Sequence, residues 1–376
     1  KQMKVRDGVT FGPFLIINGK SSTVLGNGGW GTAPRTAIGQ RKDGIVLFLV
    51  IDGSSLIHRA FFALPPLMNK KGLHTGAVYG FCNMLLKLLD EVKPKYVAVA
   101  FDKSRKTFRT EIFADYKGTR KPTPSELSEQ FPLTMKVLEA LNIVSLELDN
   151  YEADDIIGTF AKHAPEDVEV HIITGDRDEL QLIDKRTKVY YTKRGITDVQ
   201  IFDEAEFSAN YEGLVPKQLI ELKGLMGDTS DNIPGVAGVG PKTATDLLLK
   251  FGSLDGIYEN LSDESIRGKL REKLENGREN AYLSYDLATI RCEAPIDFEP
   301  KDALVMPYNR PELYQLFTRL EFVRLIDKYG LRGAGKQAEK AVSEFAPLPK
   351  CQEPPQSKEP CAVYVSPDGS LGIAWS

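Results

Sequence analysis

The stretch IVLFLVIDG, residues 45–53, decides the fold. Its unbroken apolar run offers no polar face, so a strand made from it is buried on both sides, as happens when helices cover both faces of a parallel sheet. The run stops at an acid followed by glycine. YVAVAFD (96–102) and VEVHIITGD (168–176) repeat the design. Helical periodicity lies between the three: YGFCNMLLKLLDEV after the first, then SEQFPLTMKVLEALN and EADDIIGTFAKHA before the third. Strands alternating with helices imply an α/β fold with a parallel sheet, whose ligands gather at the carboxyl ends of the strands.

Parallel strands end at one edge, so Asp52, Asp102, Asp176 and Asp178 are expected to converge there. YEADD adds Glu152, Asp154 and Asp155 at a helix start, and GDTSDNIPGVAGVGPKTA (227–244) adds Asp228 and Asp231. One such acid is an ordinary turn former or helix cap. A set of them is different, because crowded carboxylates raise one another's pKa unless a cation compensates. All-oxygen ligation favours Mg²⁺ or Mn²⁺ over zinc, and no histidine cluster competes. Two such ions about 4 Å apart would activate a water and stabilise the leaving oxygen of a phosphodiester. His58, His74, His163 and His171 read as packing residues, and four scattered cysteines without a CxxC pair exclude a zinc or disulfide framework and fit a reducing cytoplasm.

The segment FDKSRKTFRTEIFADYKGTRKPTP, 101–124, interleaves Lys103, Arg105, Lys106, Arg109, Lys117, Arg120 and Lys121 with Phe108, Phe113 and Tyr116. Charges for phosphates and rings for bases suit a nucleic-acid strand; the plain alternative is a solvated loop with buried aromatics. IPGVAGVGPKTATDLL reads as a helix, a glycine hairpin and a second helix opening at Pro241, whose first amides and Lys242 would hold a phosphate. The formal net charge of −4 does not contradict this, since an acidic site masks basic patches in the sum. No apolar run reaches the roughly 20 residues of a membrane helix.

With these residues in view, 47–331 resembles the 5′ nuclease domain of the bacterial DNA polymerase I family, a branch of the flap endonucleases. The strings that carry the likeness are FLVIDGSSLIHRAFFALPPL, AFDKSRKTFRTEIFADYKGTRKP, YEADDIIGT, ITGDRDELQLI and GDTSDNIPGVAGVGPKTA. The resemblance implies a PIN-like sheet flanked by helices, then a helix-hairpin-helix region, and metal-dependent cutting of DNA 5′ flaps and ends in replication and repair. It implies metal ligation by Asp52, Asp102, Glu152, Asp154, Asp155, Asp176, Asp178, Asp228 and Asp231, with Lys117 counted among the catalytic residues. It places Tyr116, Lys117 and Arg120 in an arch that threads a single strand, beside Arg105 and Arg109. Gly235, Gly238, Gly240 and Lys242 would meet the downstream duplex, with K⁺ at the hairpin. A monomer in a bacterial cytoplasm is expected.

The expected organisation is a catalytic domain at 47–222, a helical DNA-binding region at 223–332, a Pro, Lys and Glu-rich linker at 333–360, and a strand-turn-strand at 361–376 like the start of a 3′ to 5′ exonuclease domain. No polymerase domain is present. Residues 1–46 resemble instead a fragment of a phosphodiester glycosidase, through GWGTAPRTAIG before a strand. LVIDG suits both families, so the chain reads as joined at that string. If the junction distorts the strand carrying Asp52, the outcome would be a flap-binding fragment that does not cut.

Overall fold

The computed structural model describes residues 46–194, 198–298 and 300–333, and four short strands nearer the ends. The chain divides into two units, 1–44 and 45–376. In the first, β1 (Ile16–Ile17) pairs antiparallel with β2 (Lys20–Ser21). Near the other end, β9 (Cys361–Val365) pairs antiparallel with β10 (Leu371–Trp375), the strand-turn-strand expected there. The linker expected at 333–360 lies almost wholly outside the described residues.

The second unit is built on a six-stranded sheet. IVLFLVIDG forms β3 (Val46–Asp52), flanked in the sheet by β4 (Tyr96–Ala100) and β6 (Val168–Thr174); β5 (Val144–Leu146) lies outside β4, and β7 (Thr187–Arg194) and β8 (Asp198–Phe202) lie outside β6. Every pairing is parallel except β7 with β8, so the expected parallel sheet carries one antiparallel edge. β3 is paired to β4 from Phe48 to Asp52 and to β6 from Val46 to Ile51. The strand bearing Asp52 is therefore regular, and the distortion considered for it does not occur.

Alternation along β3 explains its composition. Phe48 and Val50 enter one core, and Leu49 and Ile51 enter the other. Burial of each such side chain contributes roughly 1.5–3 kcal/mol. The second core is covered by α1 (Gly53–Ala63), α2 (Gly76–Val92) and, beyond the short helices α3 (Phe108–Ile112) and α4 (Ser125–Ser128), α5 (Phe131–Ala140), with Pro132 in the first turn of α5 where its missing N–H costs nothing. Gly53 is required where it stands: a Cβ there would lie 2.4 Å from the Phe101 ring.

The first core is covered by α6 (Ala153–His163) and continues without a break into the helical region. There follow α7 (Glu204–Asn210), α8 (Gln218–Met226), α9 (Pro241–Phe251), α10 (Leu254–Glu259), α11 (Lys269–Asn276) and α12 (Arg278–Ala288). Leu219, Leu222, Leu247 and Ile257 belong to the same cluster as Phe48 and Val170, so the core crosses the line read at 222/223. The closing pair, α13 (Arg310–Arg319) and α14 (Val323–Lys328), turns back onto the second core through Leu313, Phe317 and Leu325.

The glycine-rich stretch differs from its reading. IPGVAG is not the first helix of the pair: α8 ends at Met226, residues 227–240 form a turn, and Pro241 opens α9. Pro234 and the positive φ of Gly235 (61°) and Gly238 (75°) forbid a helix there.

Candidate metal centre and its basic surround

The carboxyl ends of β4, β3 and β6 lie side by side, and their acids meet there. Asp52 ends β3, is 3% exposed, accepts the Ser55 amide at 2.8 Å and so caps α1, and accepts the Thr174 hydroxyl at 3.0 Å. Asp102, just past β4, is exposed and accepts the Ala153 amide at 2.9 Å, which ties it to the start of α6. Asp176 follows β6 and accepts the Asp178 amide at 3.0 Å.

Asp52 and Asp154 form a tight group with Glu179, one oxygen of each lying within 4.8 Å of the others. None of these three has an ion pair among the described residues. Burial, then the charges of Asp102 and Asp176, push Asp52 up to about 7 against the lowering pull of the Ser55 amide. Asp154 is raised well above the carboxylate range by burial and by Asp176 and Asp52, and Glu179 by burial and by Asp52 and Asp154. Crowded, desolvated anions of this kind fit a divalent cation, whose charge relieves both causes.

Glu179 was not singled out in the sequence. It stands in the DRDEL string, one residue after Asp178, on a single 3₁₀ turn, Asp178–Leu182. Three residues per turn aim it away from Asp178 and into the buried edge of the sheet.

The remaining acids have basic partners. Asp155 is fully buried and takes two hydrogen bonds from the Arg109 guanidinium, each 2.8 Å. Arg109 is 2% exposed; its Nε and Nη2 also donate to the carbonyls of Leu287 and Thr289, and its Nη1 to Glu152. Asp155 also closes a capping box on α6 through the Glu152 amide. Both residues are thus tied into the scaffold here, where the sequence placed Asp155 among the metal ligands and Arg109 among the DNA contacts. An ion-paired guanidinium with every bond made has nothing left for a phosphate.

Glu152 accepts Lys117 Nζ at 2.8 Å and the Tyr116 hydroxyl at 3.2 Å. Asp231 is buried and paired with Arg120, and Lys117 Nζ lies 3.9 Å from it. Asp178 and Asp228 share Lys223, a buried lysine that the sequence reading passed over within the apolar QLIELKGLM run. Lys223 and Ser230 hold Asp228 at about 2 despite partial burial, whereas burial and Asp176 outweigh Lys223 at Asp178, leaving it at about 6.

The aromatic half of the basic segment is not presented to a ligand. Tyr116 is buried with Ile233, Leu287 and Ala288, Phe113 packs on that cluster, and Phe108 lies under the guanidinium groups of Arg109 and Arg291. The rings build the segment; they are not set out for bases. Lys117, at φ +53°, is pinned by its amide to the Asp231 carbonyl at 2.8 Å, so 113–120 folds down onto the 228–233 loop. Arg105, Lys106 and Lys121 are exposed, and Arg120 is partly so. At the glycine turn, Gly238, Gly240 and Lys242 are exposed, but Gly235 is buried, its amide donating to Ser284 Oγ at 2.8 Å. A Cβ at Gly235 would lie 2.2 Å from the Gly227 nitrogen. Its glycine serves close packing, at a position the sequence placed among the duplex contacts.

Residues 47–212 match the family described as 5′-3′ exonuclease, N-terminal resolvase-like domain, and residues 214–311 match 5′-3′ exonuclease, C-terminal SAM fold. The chain belongs to the 5′-3′ exonuclease family. DNA polymerase I of Bacillus subtilis (strain 168) is 46% identical over 298 residues, which cover 79% of this chain and 34% of that protein. DNA polymerase I of Bacillus caldotenax is 47% identical over 299 residues, with the same shares. The chain spans about a third of the length of these relatives. The fold of the exonuclease segment is shared with T5 5′-exonuclease bound to zinc ions (TM-score 0.53, 22% identity, 73% of this chain and 98% of that one). The catalytic core of Rad2 in complex with DNA substrate shares it too (TM-score 0.51, 18% identity, 73% and 88%). Residues 1–77 match the phosphodiester glycosidase family, overlapping the first exonuclease match over 47–77, where LVIDG stands. Among the described residues no helix is long and apolar enough to cross a membrane.

Proposed function

We propose that residues 47–332 form a divalent-metal-dependent, structure-specific 5′ to 3′ exonuclease and flap endonuclease acting on DNA, corresponding to the N-terminal part of a DNA polymerase I that removes replication primers and serves repair. The observation that carries this reading is the meeting of Asp52, Asp154 and Glu179 at the carboxyl edge of the sheet, two of them buried and Asp154 half-buried, with no ion pair among the described residues. Asp52, Asp102, Asp154 and Asp176 would hold Mg²⁺ or Mn²⁺, with Asp178, Asp228 and Asp231 toward the helical region. Such ions supply an activated water and stabilise the leaving oxygen of an in-line displacement.

The chain's own side chains do the positioning. Lys117 and Arg120 are more exposed than the Glu152 and Asp231 carboxylates they pair with, and a scissile phosphate would draw them from those partners. Gly238, Gly240 and Lys242 at the start of α9 would grip the duplex backbone further along. The Gly238 carbonyl already accepts an ammonium, Lys273 Nζ at 2.8 Å, and K⁺ is the free cation proposed for that turn. The chain is proposed to act as a monomer in the bacterial cytoplasm.

The test is cleavage of a 5′-labelled flap duplex by the full chain. Product at the flap junction that needs Mg²⁺ or Mn²⁺ and disappears with EDTA is expected, together with its loss in Asp176→Ala while flap binding persists. Binding without product at any metal concentration would overturn the proposal.

A further inference from the structure

Glu179 has no structural employment. It is fully buried, and neither carboxylate oxygen has a hydrogen-bond partner. The nearby Thr174 hydroxyl is committed to Asp52. Nor can Glu179 swing out to water, because its 3₁₀ turn is fastened at both ends. Gln181 Nε2 donates to the Asp178 and Ala288 carbonyls, Gln181 Oε1 accepts the Ile290 amide, and Leu180 beside it is fully buried. A carboxylate locked in the interior without a donor is disfavoured unless a positive charge joins it.

The contrast with the surrounding acids sharpens the point. Asp178 and Asp228 share an ion pair with Lys223 and Asp231 pairs with Arg120, whereas Asp52, Asp154 and Glu179 have no ion pair among the described residues. We propose that Glu179 is a direct ligand that, with Asp52 and Asp154, makes an inner site for one hard divalent cation, filled before DNA arrives and ahead of the acids around Lys223. The inference rests on the metal-dependent reading above and goes beyond it by ranking the sites and adding a ligand. Three carboxylates in a water-poor pocket hold such an ion tightly. A second ion must compete with Lys223 and Arg120 for its ligands, and so binds more weakly.

The experiment follows Mn²⁺ uptake by the EDTA-stripped full chain without DNA, using the electron paramagnetic resonance of free Mn²⁺. A tight event separate from weaker uptake is expected in the unaltered chain. Glu179→Gln and Glu179→Leu should weaken the tight event by about 10-fold or more. Their metal-free Tm should not fall, since a buried carboxyl without a hydrogen-bond partner is removed, and the Tm rise on adding Mn²⁺ should shrink. Asp154→Asn should weaken the tight event likewise. Undiminished tight uptake in both Glu179 variants, with uptake lost in Asp154→Asn, would overturn the role of Glu179 and leave the metal centre standing. No Mn²⁺ uptake by the unaltered chain would overturn both.

Discussion

Two sets of acids lie within the same site and differ in one respect. Among the described residues Asp52, Asp154 and Glu179 have no ion pair, whereas Asp155, Glu152, Asp178, Asp228 and Asp231 each have an arginine or lysine. The same side-chain chemistry therefore does opposite work. The unpaired set has no basic partner to offset its desolvation and crowding, which a divalent cation would relieve. The paired set ties the basic segment, the start of α6 and the 228–233 loop together.

The comparison is most exposed at Arg109. If the Arg109–Asp155 pair is structural, Arg109→Ala leaves Asp155 buried and uncompensated and should cost about 3–5 kcal/mol. Urea unfolding measures this, and a loss within error of zero would break the distinction. On the other side, Asp154→Asn should leave the urea midpoint nearly unchanged while cleavage falls about 10²–10³-fold, or roughly 2.7–4 kcal/mol of barrier. A large stability loss with modest kinetics would place Asp154 in the wrong set.

The third way to sharpen the contrast is pH. In the metal-free protein Asp52 titrates at about 7 against 3.8 for an ordinary aspartate, chiefly through burial. Between these values the folded state binds a proton that the unfolded chain does not. The Asp52 contribution to stability therefore falls as pH rises from about 4 to about 7. A divalent ion competes with that proton and removes the penalty. The Tm rise caused by Mn²⁺ should thus be larger at pH 8 than at pH 6, and equal rises would show that Asp52 does not meet the ion.

The smallest effect belongs to Lys242. Its ammonium is exposed and 4.0 Å from Asp246, so Lys242→Ala should leave stability alone. Duplex binding should weaken modestly, and the slope of its salt dependence should fall by about 1. An unchanged slope would remove Lys242 from the phosphate contacts.

Which acids would converge was legible from the strand ends, because a parallel sheet brings the carboxyl ends of IVLFLVIDG, YVAVAFD and VEVHIITGD to one edge. Which of them would be spoken for was not. Arg109 lies 46 positions from Asp155 and 178 from Leu287, and nothing local in FRTEIF distinguishes an arginine bound for the interior from one bound for DNA. Lys223 and Glu179 were missed for the complementary reason. Each is a charged residue at an apolar address, and a sequence pattern treats such residues as surface.

The amino-acid sequence alone determined the sheet, through apolar runs that admit no solvent-facing side, and the edge where its acids gather. The tertiary structure alone decided which acids gain a basic partner and which are left without one. That choice depends on distances of a few ångströms between side chains brought together from opposite ends of the fold, where Coulomb and desolvation energies change steeply and the linear pattern carries no record of them.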